Sequence, residues 1–214
     1  MDHSIIEKAI IESQHCQRNW DLSQFIPQAD LDLLVHAVTQ CPSKQNIAFY
    51  KAHFIQDRGL IEQIHEFTRH NSRHPKYKTE TNSQILANLV VVFERNDFVP
   101  SLSNDIYRNE ETELIIKGQK TAAEIPALQR DSEMAIGIAS GYLNLTAGIL
   151  GYSTGCCACF QESEIKKLLD LEQNPILLIG VGFKNSNVNR RVHHQLPDFV
   201  FSTKIKQPIS TTFR

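Results

Sequence analysis

Residues 131–150 read DSEMAIGIASGYLNLTAGIL, and this stretch decides the fold. Asp131 or Ser132 is the type of residue that starts a helix, and no proline interrupts the pattern before Leu150. Met134, Ile136, Ile138, Leu143, Leu145 and Ile149 make the segment apolar nearly all round, which predicts the buried core helix. Gly137, Gly141 and Gly148 recur at helical spacing. Each costs a helix up to about 1 kcal/mol relative to alanine, so close approach of another backbone is the expected reason for them.

Working outward, Ser4 and Glu7 have the spacing of a capping box, with Ile5, Ile6, Ala9 and Ile10 as the apolar face of a first helix to about His15. Asp30 is read as the cap of a second helix, Leu31 to Gln40, which must stop before Pro42. Tyr50 to Gln56 reads as a strand, Gly59 to Phe67 as a helix, and His70 to Ser83 as a polar loop. Leu86 to Phe93 is a continuous apolar run of the kind a doubly covered central strand needs. A short strand, a helix from Ser163 to Leu169 and the strand Ile176 to Val181 follow, so the element order is α+β. Residues 96–130 are too long for an ordinary connection and form either a surface insertion or a lid. Residues 197–214 read as an extended tail.

The 214 residues, 41% of them hydrophobic, suit one domain with one sizeable core. With 22 Lys and Arg against 24 Asp and Glu there is no basic excess, which argues against a nucleic-acid or membrane-surface protein. The start, Met1-Asp2-His3-Ser4, is polar and carries no targeting signal, and the apolar runs are too short to span a bilayer. Five cysteines, an odd number, read as reduced thiols in a cytoplasmic setting.

Two short segments carry the chemistry. Gln14-His15-Cys16-Gln17-Arg18-Asn19-Trp20 resembles the N-terminal phosphate-binding signature of the FMN-dependent nitroreductase family. Cys41-Pro42-Ser43-Lys44-Gln45-Asn46, followed by Phe49-Tyr50, is similar to that family's Ala-Pro-Ser-x-x-Asn loop. Leu145 to Gly155 resembles the end of its core helix, and Ile176 to Gly182 its last core strand. The resemblance implies a central mixed or antiparallel sheet flanked by helices, a homodimer with FMN at the subunit interface, and a tail that wraps the partner. It also implies a ping-pong cycle in which NAD(P)H gives electrons to FMN and a nitro compound, quinone or other electron-poor acceptor takes them.

Residue by residue, the resemblance assigns Gln14, His15, Cys16 and Arg18 to the phosphate side, together with Arg190 and Arg191 after the last strand. Gln14 stands where the family more often has an arginine. A flavin phosphate is a dianion onto which Arg18 can fork two hydrogen bonds. Since the first helix ends nearby, its dipole disfavours an anion, and explicit cations are needed. Ser43 and Asn46, with Pro42 in the same loop, are assigned to the ribityl chain or ring edge, in related proteins often those of the partner's flavin; turn chemistry alone also accounts for them, and Lys44 is read either toward the ring or phosphate or toward water. Cys157, Ala158 and Cys159 fall where the family sets a backbone loop against flavin N5, although this chain lacks the usual glycine or glutamate there. No residue stands out as a catalytic acid or base.

Other readings stay open at this point. The same fold hosts dehalogenation, flavin breakdown and ring dehydrogenation, and flavin binding without turnover. Cys156, Cys157 and Cys159 could instead serve thiol redox chemistry or hold a metal, but no second Cys/His cluster accompanies them. His70 and His74 lie in a polar stretch, and adjacent His193 and His194 point apart in extended chain. Gly180-Val181-Gly182 lacks the third glycine of a dinucleotide fingerprint, so nicotinamide would be a passing substrate.

Overall fold

The computed structural model describes residues 3–71, 79–96, 110–121, 124–185 and 206–212. Most of the continuous apolar run enters strand β4 (Leu89–Arg95), which is buried at every residue but Arg95. In chain order the helices are α1 (His3–Ser13), α2 (Gln28–Thr39), α3 (Arg58–Glu66), α4 (Glu110–Ile116), α5 (Pro126–Ile149) and α6 (Glu162–Leu169). The strands are β1 (Tyr50–Ile55), β2 (His70–Asn71), β3 (Thr79–Glu80), β4 (Leu89–Arg95), β5 (Ser153–Cys157) and β6 (Pro175–Gly182).

Four strands form one sheet in the order β1-β4-β6-β5, and every pairing in it is antiparallel. Alternation along β4 divides its side chains between two helical layers. Leu89, Val91 and Phe93 pack with Leu34 and Val38 of α2 and with Ile136, Ala139 and Leu143 of α5. Val90 and Val92 pack on the other face with Ile61 and Ile64 of α3 and Ile165 of α6. Both faces are therefore covered, which is why the strand tolerates no polar residue until Glu94. Each such aliphatic side chain contributes roughly 1.5–3 kcal/mol on burial.

Several expectations are corrected. The core helix begins at Pro126 rather than Asp131, with the proline in its first turn, where a missing N–H costs nothing. It is not buried all round: Met134, Ile138, Tyr142 and Ile149 are exposed. On α1 only Ala9 is buried, while Ile5 and Ile10 face outward. Helix α2 begins three residues before Leu31, so Asp30 lies inside its first turn instead of capping it, and its carboxylate accepts the Tyr152 hydroxyl at 2.5 Å. The expected strand at Leu86 starts at Leu89, after a 3-10 turn over Ser83–Ile85. The expected loop from His70 contains the short β2–β3 pair. Within the long excursion, 126–130 belong to α5, and Ile115 of α4 packs with Ile47, Phe49, Ile125 and Leu128. Of the tail, residues 206–212 are exposed and form neither helix nor strand.

Candidate functional site

The segment following α1 is stitched first to edge strand β5 and then to the chain leaving β6. Gln17 N–H donates to the Thr154 carbonyl at 2.8 Å, Asp21 N–H to Phe183 at 2.8 Å, and Asn185 N–H to Asn19 at 3.1 Å. The buried Gln17 side chain folds back on its own backbone, accepting from the N–H groups of Arg18 (2.8 Å) and Asn19 (3.0 Å). Trp20 anchors the far end, its indole N–H reaching the Ser83 carbonyl at 3.0 Å. These bonds leave Gln14 and His15 exposed and Cys16 and Arg18 half-buried beside β5.

The 3-10 turn before β4 comes down on the same strand. Gln84 Nε2 donates to the Cys156 carbonyl at 3.3 Å, and Asn82 Nδ2 to the Cys159 carbonyl at 2.8 Å. Glycines make this approach possible. A Cβ on Gly155 would stand 2.6 Å from Gln84 Cβ and 2.7 Å from the Gln17 carbonyl oxygen. The side-chain oxygen of Gln84 is buried and, among the described residues, has no hydrogen-bond partner. Leaving such an acceptor unsatisfied costs roughly 1–3 kcal/mol, so a polar ligand there would stabilise the arrangement. Gln84 and Asn82 escaped the sequence reading. Their only signal is an amide-rich triplet, Asn82-Ser83-Gln84, placed directly before the apolar run.

Cys156 and Cys157 lie on β5 itself, not in a loop; Ala158 and Cys159 follow it and are exposed. As successive strand residues the first two point to opposite faces. Cys156 Sγ meets the Asn144 side chain of α5 at 3.6 Å, whereas Cys157 joins the buried cluster around Leu178. This divergence removes the basis for a shared metal site on the three cysteines. Burial pushes the Cys157 thiol up to about 12, against the pull of the Arg18 charge nearby. A protonated thiol is a poor nucleophile. Cys157 is accordingly expected to stay unalkylated by iodoacetamide at pH 8 in the native protein and to react once unfolded. Equal labelling in both states, read by mass spectrometry, would contradict this.

The second predicted segment lies elsewhere. Pro42 is exposed, and Ser43 Oγ donates to the Ile47 carbonyl at 2.7 Å. Gln45 and Asn46 both hold φ of 55°. Lys44 Nζ sits 2.7 Å from Asp131 Oδ2. Cys41, Ser43 and Asn46, together with Tyr50 and Lys51 of β1, line a cavity of about 650 Å³. This loop leads into β1 at one edge of the sheet, while Gln14–Arg18 and Cys157–Cys159 gather at the β5 edge. Three strand spacings, about 14 Å, separate those edges. Arg190 and Arg191 lie outside the described residues, as do His74, His193 and His194.

Comparison with known proteins places this geometry in a family. The nitroreductase family model matches residues 11–183. Among curated proteins none matches. A candidate nitroreductase of Bacillus subtilis, ydfN, superposes with a TM-score of 0.69 at 13% identity, covering 97% of this chain and 96% of that one. A candidate NAD(P)H:FMN oxidoreductase of Staphylococcus epidermidis gives 0.63 at 15% identity over 95% and 92% of the two chains. A candidate nitroreductase of Exiguobacterium sibiricum, crystallised in complex with FMN, gives 0.62 at 16% identity over 93% and 91%. At these identities the structural likeness speaks for the fold alone.

Proposed function

The chain belongs to the nitroreductase family, and from that premise we propose that it is an FMN-dependent oxidoreductase passing electrons from NAD(P)H to a nitro, quinone or other electron-poor acceptor. The observation that carries this reading is the convergence of Arg18, the exposed backbone after β5, and the unpartnered Gln84 oxygen on one sheet edge. Those groups fit a phosphorylated heterocycle. Bound FMN would supply the hydride and electron chemistry.

The chain's own residues would hold and orient it. Arg18, on a segment pinned by Gln17 and Trp20, offers a guanidinium to the phosphate dianion, with His15 as a further hydrogen-bonding group and the two arginines at 190 and 191 as further cations. Gln84 Oε1 offers an acceptor to a ring N–H, and the backbone of Cys157, Ala158 and Cys159 borders the ring near N5. Cys157, buried and protonated, packs as a small hydrophobe rather than reacting.

The separation of the two predicted segments supports a homodimer. If Ser43 and Asn46 are to reach the same flavin as Arg18, a second copy must supply them. The exposed apolar face of α5, with Gly137 and Gly141 open on it, and the outward isoleucines of α1 are suited to that contact.

The test is the visible spectrum of the purified protein before and after anaerobic NADH or NADPH. A yellow protein bleached by either nucleotide is expected. Arg18→Ala should lose roughly ten- to hundredfold in FMN affinity, the loss of a charge-assisted contact. Flavin affinity unchanged in that variant would remove the phosphate role, and a protein that takes up no FMN would remove the whole reading.

A further inference from the structure

We infer that Asp131 is a positioning residue that holds the Ser43–Asn46 loop through Lys44, so that Lys44 serves the cofactor site as a strut and does not itself touch the flavin. The inference rests on the flavin reading above. Lys44 Nζ lies 2.7 Å from Asp131 Oδ2, and the Asp131 side chain is only 1% exposed. Arg130 stands farther from that carboxylate, at 3.8 Å from Oδ1. An ion pair with one partner buried differs from an exposed pair, because removing the cation strands a desolvated charge.

The next two residues of α5 extend the grip. Ser132 Oγ donates to the Phe49 carbonyl at 2.9 Å, and Arg95, which lies opposite Tyr50 in the β1–β4 register, reaches Glu133 at 2.7 Å. From the other side Asn96 donates its N–H to Phe49 at 3.0 Å and its side-chain amide to Ala48 at 2.8 Å. The chain is thus held at 44, 48 and 49. Within the loop, Gln45 and Asn46 hold consecutive left-handed conformations. Asparagine tolerates that region, but glutamine does so at a cost, and such a turn persists only where its surroundings fix it. Lys44 adjoins this turn on its N-terminal side, and Asp131 fixes Lys44. An ammonium so engaged is largely spent as positive charge for a phosphate, which separates Lys44 from Arg18.

The experiment compares Lys44→Met, Asp131→Asn, the double variant and Lys44→Arg by amide hydrogen exchange over residues 43–49 and by FMN titration. Lys44→Met alters an exposed side chain, so the comparison survives if Asp131→Asn folds poorly. Each single change should speed loop exchange and raise the FMN dissociation constant about tenfold, with the double variant no worse than either, as expected for two residues acting as one. Lys44→Arg, which keeps the pair, should stay close to the unaltered protein. Unchanged loop exchange in both single variants would overturn the strut. So would FMN losses that multiply in the double variant, which would make Lys44 a direct ligand. An unaltered protein that binds no FMN overturns the flavin reading instead, and loop exchange still decides the strut.

Discussion

Gly180→Ala is expected to destabilise the protein by roughly 3 kcal/mol or more and to abolish flavin retention with it. The cause is local and steric. A Cβ at position 180 would stand 2.0 Å from the Gln84 carbonyl oxygen and 2.9 Å from Ala87 Cβ. Neither atom is the end of a flexible side chain, so the turn over Ser83–Ile85 must lift off β6 or the strand must bend. Lifting the turn pulls fully buried Ile85 and Ala87 from the core and withdraws Gln84 from the Cys156 carbonyl. Urea unfolding should show the midpoint falling at a similar slope, and the visible spectrum should show flavin loss. Gly59→Ala makes the control, since a Cβ there meets only Asp57 Oδ1, at an ordinary contact distance of 3.4 Å, and the position lies away from the proposed interface on α5. A Gly180→Ala protein as stable and as yellow as its parent would mean that the turn does not rest on the strand in this way.

How much of this was legible beforehand depends on the range of the interaction. Periodicity and apolar runs are local, so the helices and the central strand could be read, with errors confined to their ends. Pro126 is one such error: the apolar pattern begins at Met134, but the proline already starts the helix. Asp30 is another, because an aspartate before an apolar face suits a cap and a first-turn residue equally, and its bond to Tyr152 spans 122 positions. The Gln14–Trp20 segment, proposed for the phosphate, can be singled out in the sequence because its residues are contiguous. Gln84 cannot be, since its position over β5 follows from glycines at 155 and 180 that are far away in sequence. Lys44 was read toward the cofactor from its neighbours Ser43 and Asn46; its partner, Asp131, lies 87 positions on. The outward face of α5 was misread for a different reason. Methionine, isoleucine and tyrosine state that a surface is to be buried, but not whether the covering side chains come from the same chain.

A substitution on that outward face should have the other large effect. Ile138→Asp should convert the protein to a colourless monomer while leaving its secondary structure intact. Ile138 is 40% exposed in the single chain, with Met134 and Tyr142 one turn away on either side and Gly137 and Gly141 beside them. For an isolated chain a carboxylate there meets water, and surface changes of that kind cost within about 0.5 kcal/mol. At a two-fold interface the same carboxylate would be desolvated twice, once from each copy, and face its own symmetry mate. Several kcal/mol of penalty per uncompensated charge would exceed what a standard-sized interface can absorb. Sedimentation velocity reads the assembly and absorbance reads the flavin. Because Ser43 and Asn46 sit at the edge of the sheet opposite Arg18, both signals should be lost together. A monomer that keeps FMN would show that one chain completes the site by itself. A dimer that tolerates the Ile138→Asp change would move the interface off α5, and the open glycines on that helix would need another partner.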